Sequence, residues 1–192
     1  ILPERFNRVI ISDIGRYNPM GPDHGPGFLQ EYTNQIRKFS IADNGTTIRI
    51  NHLPGFTDAE NLHRRDYNVH TQILPTVEEG LTAFSGVFQQ HEDLPFLNAV
   101  TIGSKGYTVN NNFQQYYNHY HCANIPLYSA SKNEMHSLFF GGIAQYYDSA
   151  GIRIQDDNVP FVKTIARVTR DANGNMTETK LPVEMPAFLG AG

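Results

Sequence analysis

The sequence carries a single cysteine, Cys122, and no tryptophan. One thiol cannot close an internal disulfide, so no covalent framework holds this chain and the redox compartment stays open. Beside apolar neighbours, Cys122 reads as a small buried hydrophobe rather than a nucleophile. Charge is scarce too: 18% of residues are charged, and 15 Lys and Arg stand against 19 Asp and Glu, a formal net charge of −4. That balance argues against a nucleic-acid or anionic-membrane partner, which would want a basic face. No apolar run approaches the roughly eighteen residues of a membrane-spanning helix. The strings of common active sites are missing as well. There is no Gly-x-Ser-x-Gly elbow, no P-loop, no Gly-x-Gly-x-x-Gly and no His-Glu-x-x-His. Glu78 and Glu79 are adjacent on a turn, so they do not face one substrate as an acid/base pair would.

What is present is a globular composition, 40% hydrophobic over 192 residues, which is enough chain to bury a core. Eleven prolines and sixteen glycines leave little room for helix. Short runs rich in β-branched and aromatic residues predict strands at Val69 to Leu74, Leu81 to Phe88, Ile125 to Tyr128 and Ser137 to Ile143. Leu138 to Ile143 has the continuous apolar character of an inner strand. Asn44-Gly45, Lys105-Gly106 and Asn173-Gly174 lie between strand-like runs and predict hairpin turns. Gly55 to Leu62 is the best place for a helical turn.

The chain also resembles itself. Val9-Ile10-Ile11-Ser12, Thr82-Ala83-Phe84-Ser85-Gly86 and Leu138-Phe139-Phe140-Gly141-Gly142 are apolar runs that break into small residues. Aligning Ser12, Gly86 and Gly141 spaces them 74 and 55 apart, 129 in all. An independent feature keeps that spacing. Ile36 to Ser40 leading into Asn44-Gly45 recurs 129 positions on, as Ile165 to Thr169 leading into Asn173-Gly174. The string from His63 and the string from His119 stand 56 apart. Two features sharing one offset make a repeat, with approximate units 1–60, 61–115 and 116–192.

His121-Cys122-Ala123 followed by Leu138-Phe139-Phe140-Gly141-Gly142 resembles the kelch repeat. His63 to Asn68 and Leu138 to Tyr147 are similar to strings of secreted kelch-like proteins of Bacteroidetes, which carry a C-terminal type IX secretion sorting domain. The resemblance implies an all-β fold of antiparallel four-stranded blades in a kelch-like β-propeller. About three repeats would make 1–192 one incomplete propeller domain of a larger ring, because propellers need four or more blades to close. The chain opens at Ile1-Leu2-Pro3-Glu4 without Met and stops at Gly190-Ala191-Gly192, which reads as two cuts in a longer frame. The resemblance further implies a secreted or cell-surface location and a non-enzymatic module for protein or glycan interaction at the bacterial surface. Its other partner would be the remaining blades of the same protein.

Eight histidines draw attention to metals. His119-x-His121 has the strand spacing that places two imidazoles on one face, but the further ligands a zinc site needs are not apparent. His63 and His119 hold equivalent repeat positions, which predicts a structural role at the head of a blade strand. The Arg64-Arg65-Asp66 cluster reads as an ion-pair latch or as part of a binding surface. Asp171-x-Asn173-Gly174-Asn175 begins like a calcium loop, yet its twelfth position is Pro182, and a hairpin is the better reading. Phe113 to Tyr120 combines tyrosines with amides, the makings of a sugar platform. The candidate ligand-binding residues are therefore Arg64, Arg65, Asp66, Tyr116, Tyr117, His119 and His121. No catalytic residue, metal site or cofactor is assigned. The alternative is a carbohydrate-active or copper-oxidase-like enzyme on a kelch-type propeller, whose constellation would have to come from Cys122, Tyr116, Tyr117 and His119.

Overall fold

The structure, a computed structural model, describes residues 32–186 in full and the backbone of residues 7–12. Asp13 to Asn18, which follow the first apolar run, and His24 lie outside the described residues. Among the described residues there are thirteen strands and no α-helix. The chain divides into two compact units, Ile1–Arg65 and Asp66–Gly192. None of its described helices, there being none, is long and apolar enough to cross a membrane.

The first unit holds a three-stranded antiparallel meander of β1 (Asn7–Ser12), β2 (Gln35–Asp43) and β3 (Ile48–Thr57). The second holds two four-stranded antiparallel sheets. One runs in chain order through β4 (Asn68–Ile73), β5 (Glu79–Phe84), β6 (Ala99–Gly103) and β7 (Gly106–Asn110). The other is ordered β8 (Ala123–Ser129), β9 (Glu134–Phe140), β12 (Thr164–Arg170) and β13 (Met176–Glu184). Between β9 and β12 the chain makes a separate hairpin of β10 (Tyr146–Ser149) and β11 (Ile152–Gln155).

Register fixes how the repeats correspond. Phe84 pairs with Ala99, and Phe140 pairs with Ile165. Beyond those pairs, the Ser85 amide donates to the Asn98 carbonyl as the Gly141 amide donates to Thr164. The Phe96 amide donates to Gly86 as the Val162 amide donates to Gly142, both at 2.8 Å. Ser85-Gly86 is thus equivalent to Gly141-Gly142, and all four residues have positive φ. In the first unit Ile11 pairs with Ile36 and Ser12 with Gln35, which keeps the 129-residue spacing to Phe140–Ile165 and Gly141–Thr164. Ser12, Ser85 and Gly141 therefore correspond, and the alignment through Gly86 is corrected by one residue. The second glycine of the pair is obligatory: a Cβ on Gly142 would lie 2.5 Å from Cys122 Sγ and 2.6 Å from the Tyr120 carbonyl oxygen.

Other expectations shift in instructive ways. β9 ends at Phe140, not Ile143, and only alternate residues, Met135, Ser137 and Phe139, are fully buried. The helical turn falls at 58–62, where the Leu62 amide reaches the Asp58 carbonyl and the Asp58 carboxylate accepts the Glu60 and Asn61 amides. Gly55 belongs to β3 instead. Asn44-Gly45 sits in a four-residue loop, because the Asn44 side chain accepts the Thr46 and Thr47 amides and Gly45 alone takes positive φ. At 171–175 the Asp171 carboxylate accepts the Asn173 and Asn175 amides, closing a hairpin loop.

The two four-stranded sheets pack face to face. Phe84 and Phe139 meet edge-on with centroids 5.1 Å apart, and the His70 ring stacks on Phe84 at 5.2 Å. Ala99, Phe113 and Val168 complete this cluster. Its polar margin is paired: Gln72 Nε2 donates to Ser137 Oγ at 3.1 Å, and Arg170 donates to the Ile73 carbonyl. Truncating Phe139 to Ala should cost about 3–5 kcal/mol through the cavity it leaves. Leu127→Ala, on an exposed position, should cost well under half of that. Denaturant melts of the two variants decide whether this interface is the core.

Candidate functional site

The segment 111–122 joins the two four-stranded sheets and is pinned at Phe113, Gln115, Asn118 and His119. Phe113 enters the core. Gln115 is fully buried, with its amide on the Leu97 carbonyl and its side-chain nitrogen on the Tyr117 and Asn118 carbonyls. Asn118, also fully buried, donates from Nδ2 to the Gly141 and Thr164 carbonyls at 2.6 and 2.8 Å. His119 is fully buried, and both of its ring nitrogens are engaged. Nε2 meets the Gln115 carbonyl at 2.8 Å and Nδ1 accepts the Gln145 amide at 3.1 Å. Burial lowers its pKa to about 4, the Gln115 contact opposing, so the ring is neutral near pH 7.

With these anchors held down, the segment brings Tyr116 and Tyr117 to a cleft of about 560 Å³. Asn112, Gln114, Arg153, Glu178 and Lys180 also line it. The Arg153 guanidinium lies over Tyr116, its carbon 3.9 Å from the ring centroid, and 5.6 Å from that of Tyr117. The edge of the same stack is closed by Tyr146, at 5.1 Å and nearly perpendicular to Tyr116. The platform differs from the one expected of free tyrosine faces, since Arg153 occupies the Tyr116 face and becomes the exposed layer. Such a stack costs a guanidinium little hydration and keeps its N–H edge available.

Beneath the stack are two carboxylates in different states. Asp148 accepts the Tyr117 hydroxyl at 2.6 Å and pairs with Lys180 at 3.2 Å. The Tyr117 hydrogen bond and the lysine hold its pKa below the ordinary aspartate value. Glu178 accepts the Tyr116 amide on Oε2 at 2.6 Å and the Tyr117 amide on Oε1 at 3.1 Å. Burial pushes its carboxyl up to about 8, against the pull of those two amides and of Arg153. At neutral pH the cleft therefore carries two cations, one secure anion and one carboxyl still largely protonated. Its balance is positive in a chain whose total is negative.

The other residues singled out in the sequence lie elsewhere. Asp66 has positive φ, and its carboxylate is 4.0 Å from the exposed His121 ring. Arg64 is fully buried, with Nε on the Asn61 carbonyl at 2.7 Å, and Arg65 is partly buried. The His63 ring stacks on Tyr32 at 4.0 Å. Cys122 donates to the Tyr120 carbonyl at 3.2 Å, and burial raises its pKa to about 12, which leaves a thiol rather than a thiolate. Among the described residues no group of three or more His, Cys, Asp or Glu is disposed to hold a metal ion. Sequence reasoning missed Arg153, Asp148, Glu178 and Lys180. The first two ride on the β10–β11 hairpin, whose only sequence signal is Ala150-Gly151, both at positive φ in a two-residue loop. No family model, curated protein or solved structure matches the chain.

Replacing His119 with Ala should strand the Gln115 carbonyl and the Gln145 amide and lower stability by about 1–3 kcal/mol. An unchanged melt would remove His119 from the structural role. The two shifted groups also give stability a signed pH dependence. His119, depressed in the fold, contributes stability that is complete above pH 6.5 and lost as pH falls toward 4. Glu178, raised in the fold, contributes stability that is complete below pH 4.5 and lost as pH rises through 8. Between pH 6.5 and 8 only the second effect operates, so stability should fall by about 1–2 kcal/mol across that window. Glu178→Gln, which cannot ionise, should be flat there, and a matching slope in both proteins would place the titration elsewhere.

Proposed function

We propose that the chain is a glycan-binding module of a kelch-like β-propeller, acting outside the cell or at its surface, and that the Tyr116–Arg153 cleft is its binding site. The antiparallel four-stranded sheets in sequential order are consistent with blades, and their matched registers support reading them as one repeated unit. The observation that carries the function is the Arg153 guanidinium layered on Tyr116 at the mouth of an amide-lined cleft. A planar layer with polar edges suits a pyranose ring, and side-chain amides from Asn112 and Gln114 suit its hydroxyls. Arg153 and Lys180 add a preference for a sugar that carries a carboxylate.

Interaction rather than chemistry is the better fit, because the site's ionisable groups are tied to structural duties. Glu178 anchors two backbone amides, Asp148 is divided between Tyr117 and Lys180, and burial together with Asp148 keeps the Tyr117 phenol protonated. The oxidase alternative lacks support on the same grounds, since the His119 nitrogens and the Cys122 thiol already have protein partners.

Calorimetric titration with acidic and neutral oligosaccharides tests the proposal. Oligouronates should bind more tightly than their neutral counterparts. Arg153→Met should weaken the acidic ligands by roughly tenfold or more, about 1.4 kcal/mol, and narrow the difference between the two classes. Equal affinity of wild type and Arg153→Met for every ligand that binds would remove the cleft from the function.

A further inference from the structure

The sheet of β8, β9, β12 and β13 has two faces: one is buried against the neighbouring sheet, and the other, on which Ile165 is covered, leaves apolar side chains of β8 exposed. Met135, Ser137, Phe139, Ala166 and Val168 face the neighbouring sheet and are buried. The opposite face carries Ile125, Leu127, Leu138 and Phe140. Ile125 pairs with Leu138, and the alternation of the strands brings Leu127 and Phe140 to the same side. Ile125 is 48% exposed and Leu127 is 50% exposed. This is no random patch, because by register Phe140 corresponds to Phe84, the residue on which Phe139 of the next sheet is seated. The face is the counterpart of a docking face already filled once in the same unit.

The sheet of the first unit, taken by itself, carries the complement. Ile41 pairs with Ile50 and Asp43 with Ile48, so the three isoleucines share a face. They are 40%, 56% and 67% exposed. The 129-residue spacing takes Phe39 to Val168 and Ile41 to Arg170, both on the face by which the last sheet grips its neighbour. One exposed face is thus of the gripping kind and the other of the gripped kind.

We propose that the chain associates head to tail with a second copy of itself, the Ile41–Ile48–Ile50 face of one copy seating on the Ile125–Leu127–Phe140 face of the next. The contact repeats, between chains, the sheet-on-sheet packing that Phe84 and Phe139 make within one. Such a heterologous contact closes into a ring when the rotation per step allows it and otherwise grows. The inference rests on the sheet equivalence that also underlies the blade reading and is independent of what the cleft binds.

Sedimentation velocity of the 192-residue protein at about 100 µM, followed by dilution, reads it directly. The expected species has at least twice the 21.6 kDa of one chain. Leu127→Glu and Ile50→Glu, each on an exposed position, should each weaken association by at least about tenfold, with melts of the dilute proteins unchanged. An equimolar mixture of the two variants should regain the doubled mass, because each retains the face that the other has lost. A wild-type monomer at that concentration overturns the proposal, as does a mixture that stays monomeric. Loss of association from Leu127→Glu with none from Ile50→Glu overturns it in favour of like-on-like pairing. The Phe139→Ala melt judges the sheet packing separately, so a failure of self-docking and a failure of the blade reading are distinguishable.

Discussion

Phe84 and Phe139 meet edge to face between two sheets that share no strand, and the second unit depends on that meeting. A four-stranded antiparallel sheet cannot shelter both faces by itself, so its stability comes from whatever its apolar face lies against. Two arrangements make the approach possible. The paired positive-φ residues after β5 and β9 turn the chain sharply out of the sheet, so the strand that returns is brought directly alongside. A line of single bridges, Tyr67 to Tyr120, Tyr120 to Ile143 and Ile143 to Phe161, then ties the strand heads and connections to each other. Gly142 sits where this line passes Cys122 too closely for any side chain.

The cleft is a consequence of the same packing. To carry the chain from β7 to β8, residues 111–122 must cross the seam between the sheets, and they can do so only if their backbone polar groups are satisfied. Gln115 and His119 within the segment and Glu178 from β13 supply such partners, while Asn118 ties the segment to the Gly141 and Thr164 carbonyls. Between the buried anchors Tyr116 stays partly exposed, and Tyr117, although buried, still lines the cleft. Scaffold and cleft-lining residues therefore sit side by side in one short segment. Its two ring hydrogen bonds place His119, a histidine with metal-like spacing to His121, in the scaffold, while Tyr116 and Tyr117 line the cleft.

Much of this was legible from the residues, for a physical reason. Register in an antiparallel sheet is read from apolar patterning, and a repeat that conserves register must conserve spacing, so the 129-residue offset survives as the pairing of Ile11 with Ile36 and of Phe140 with Ile165. The one-residue slip at Gly86 arose because a glycine was matched to a glycine. What the fold equates is φ, and Ser85 adopts the required positive φ at 50° without being glycine. The site was harder. Tyr116 and Tyr117 were visible as an aromatic and amide-rich run, but Arg153, Asp148, Glu178 and Lys180 lie between 31 and 64 positions away along the chain. They reach the cleft only through an inserted hairpin and an outer strand, and no local pattern encodes that convergence.

The electrostatics of the cleft follow from its position at a sheet margin and not from composition. With a net charge of −4 the protein as a whole repels acidic ligands, weakly and at a range that salt shortens. Inside the cleft the balance inverts, because burial, against the pull of two amide contacts, keeps the Glu178 anchor only partly ionised near neutrality. If Glu178 were fully exposed, its charge would cancel that of Arg153 and the stack on Tyr116 would face a neutral site. The same buried carboxyl that fixes the backbone of the tyrosine segment thus leaves the guanidinium above it uncompensated. Rising pH costs stability and neutralises the cleft at once, since ionising Glu178 charges a buried carboxyl.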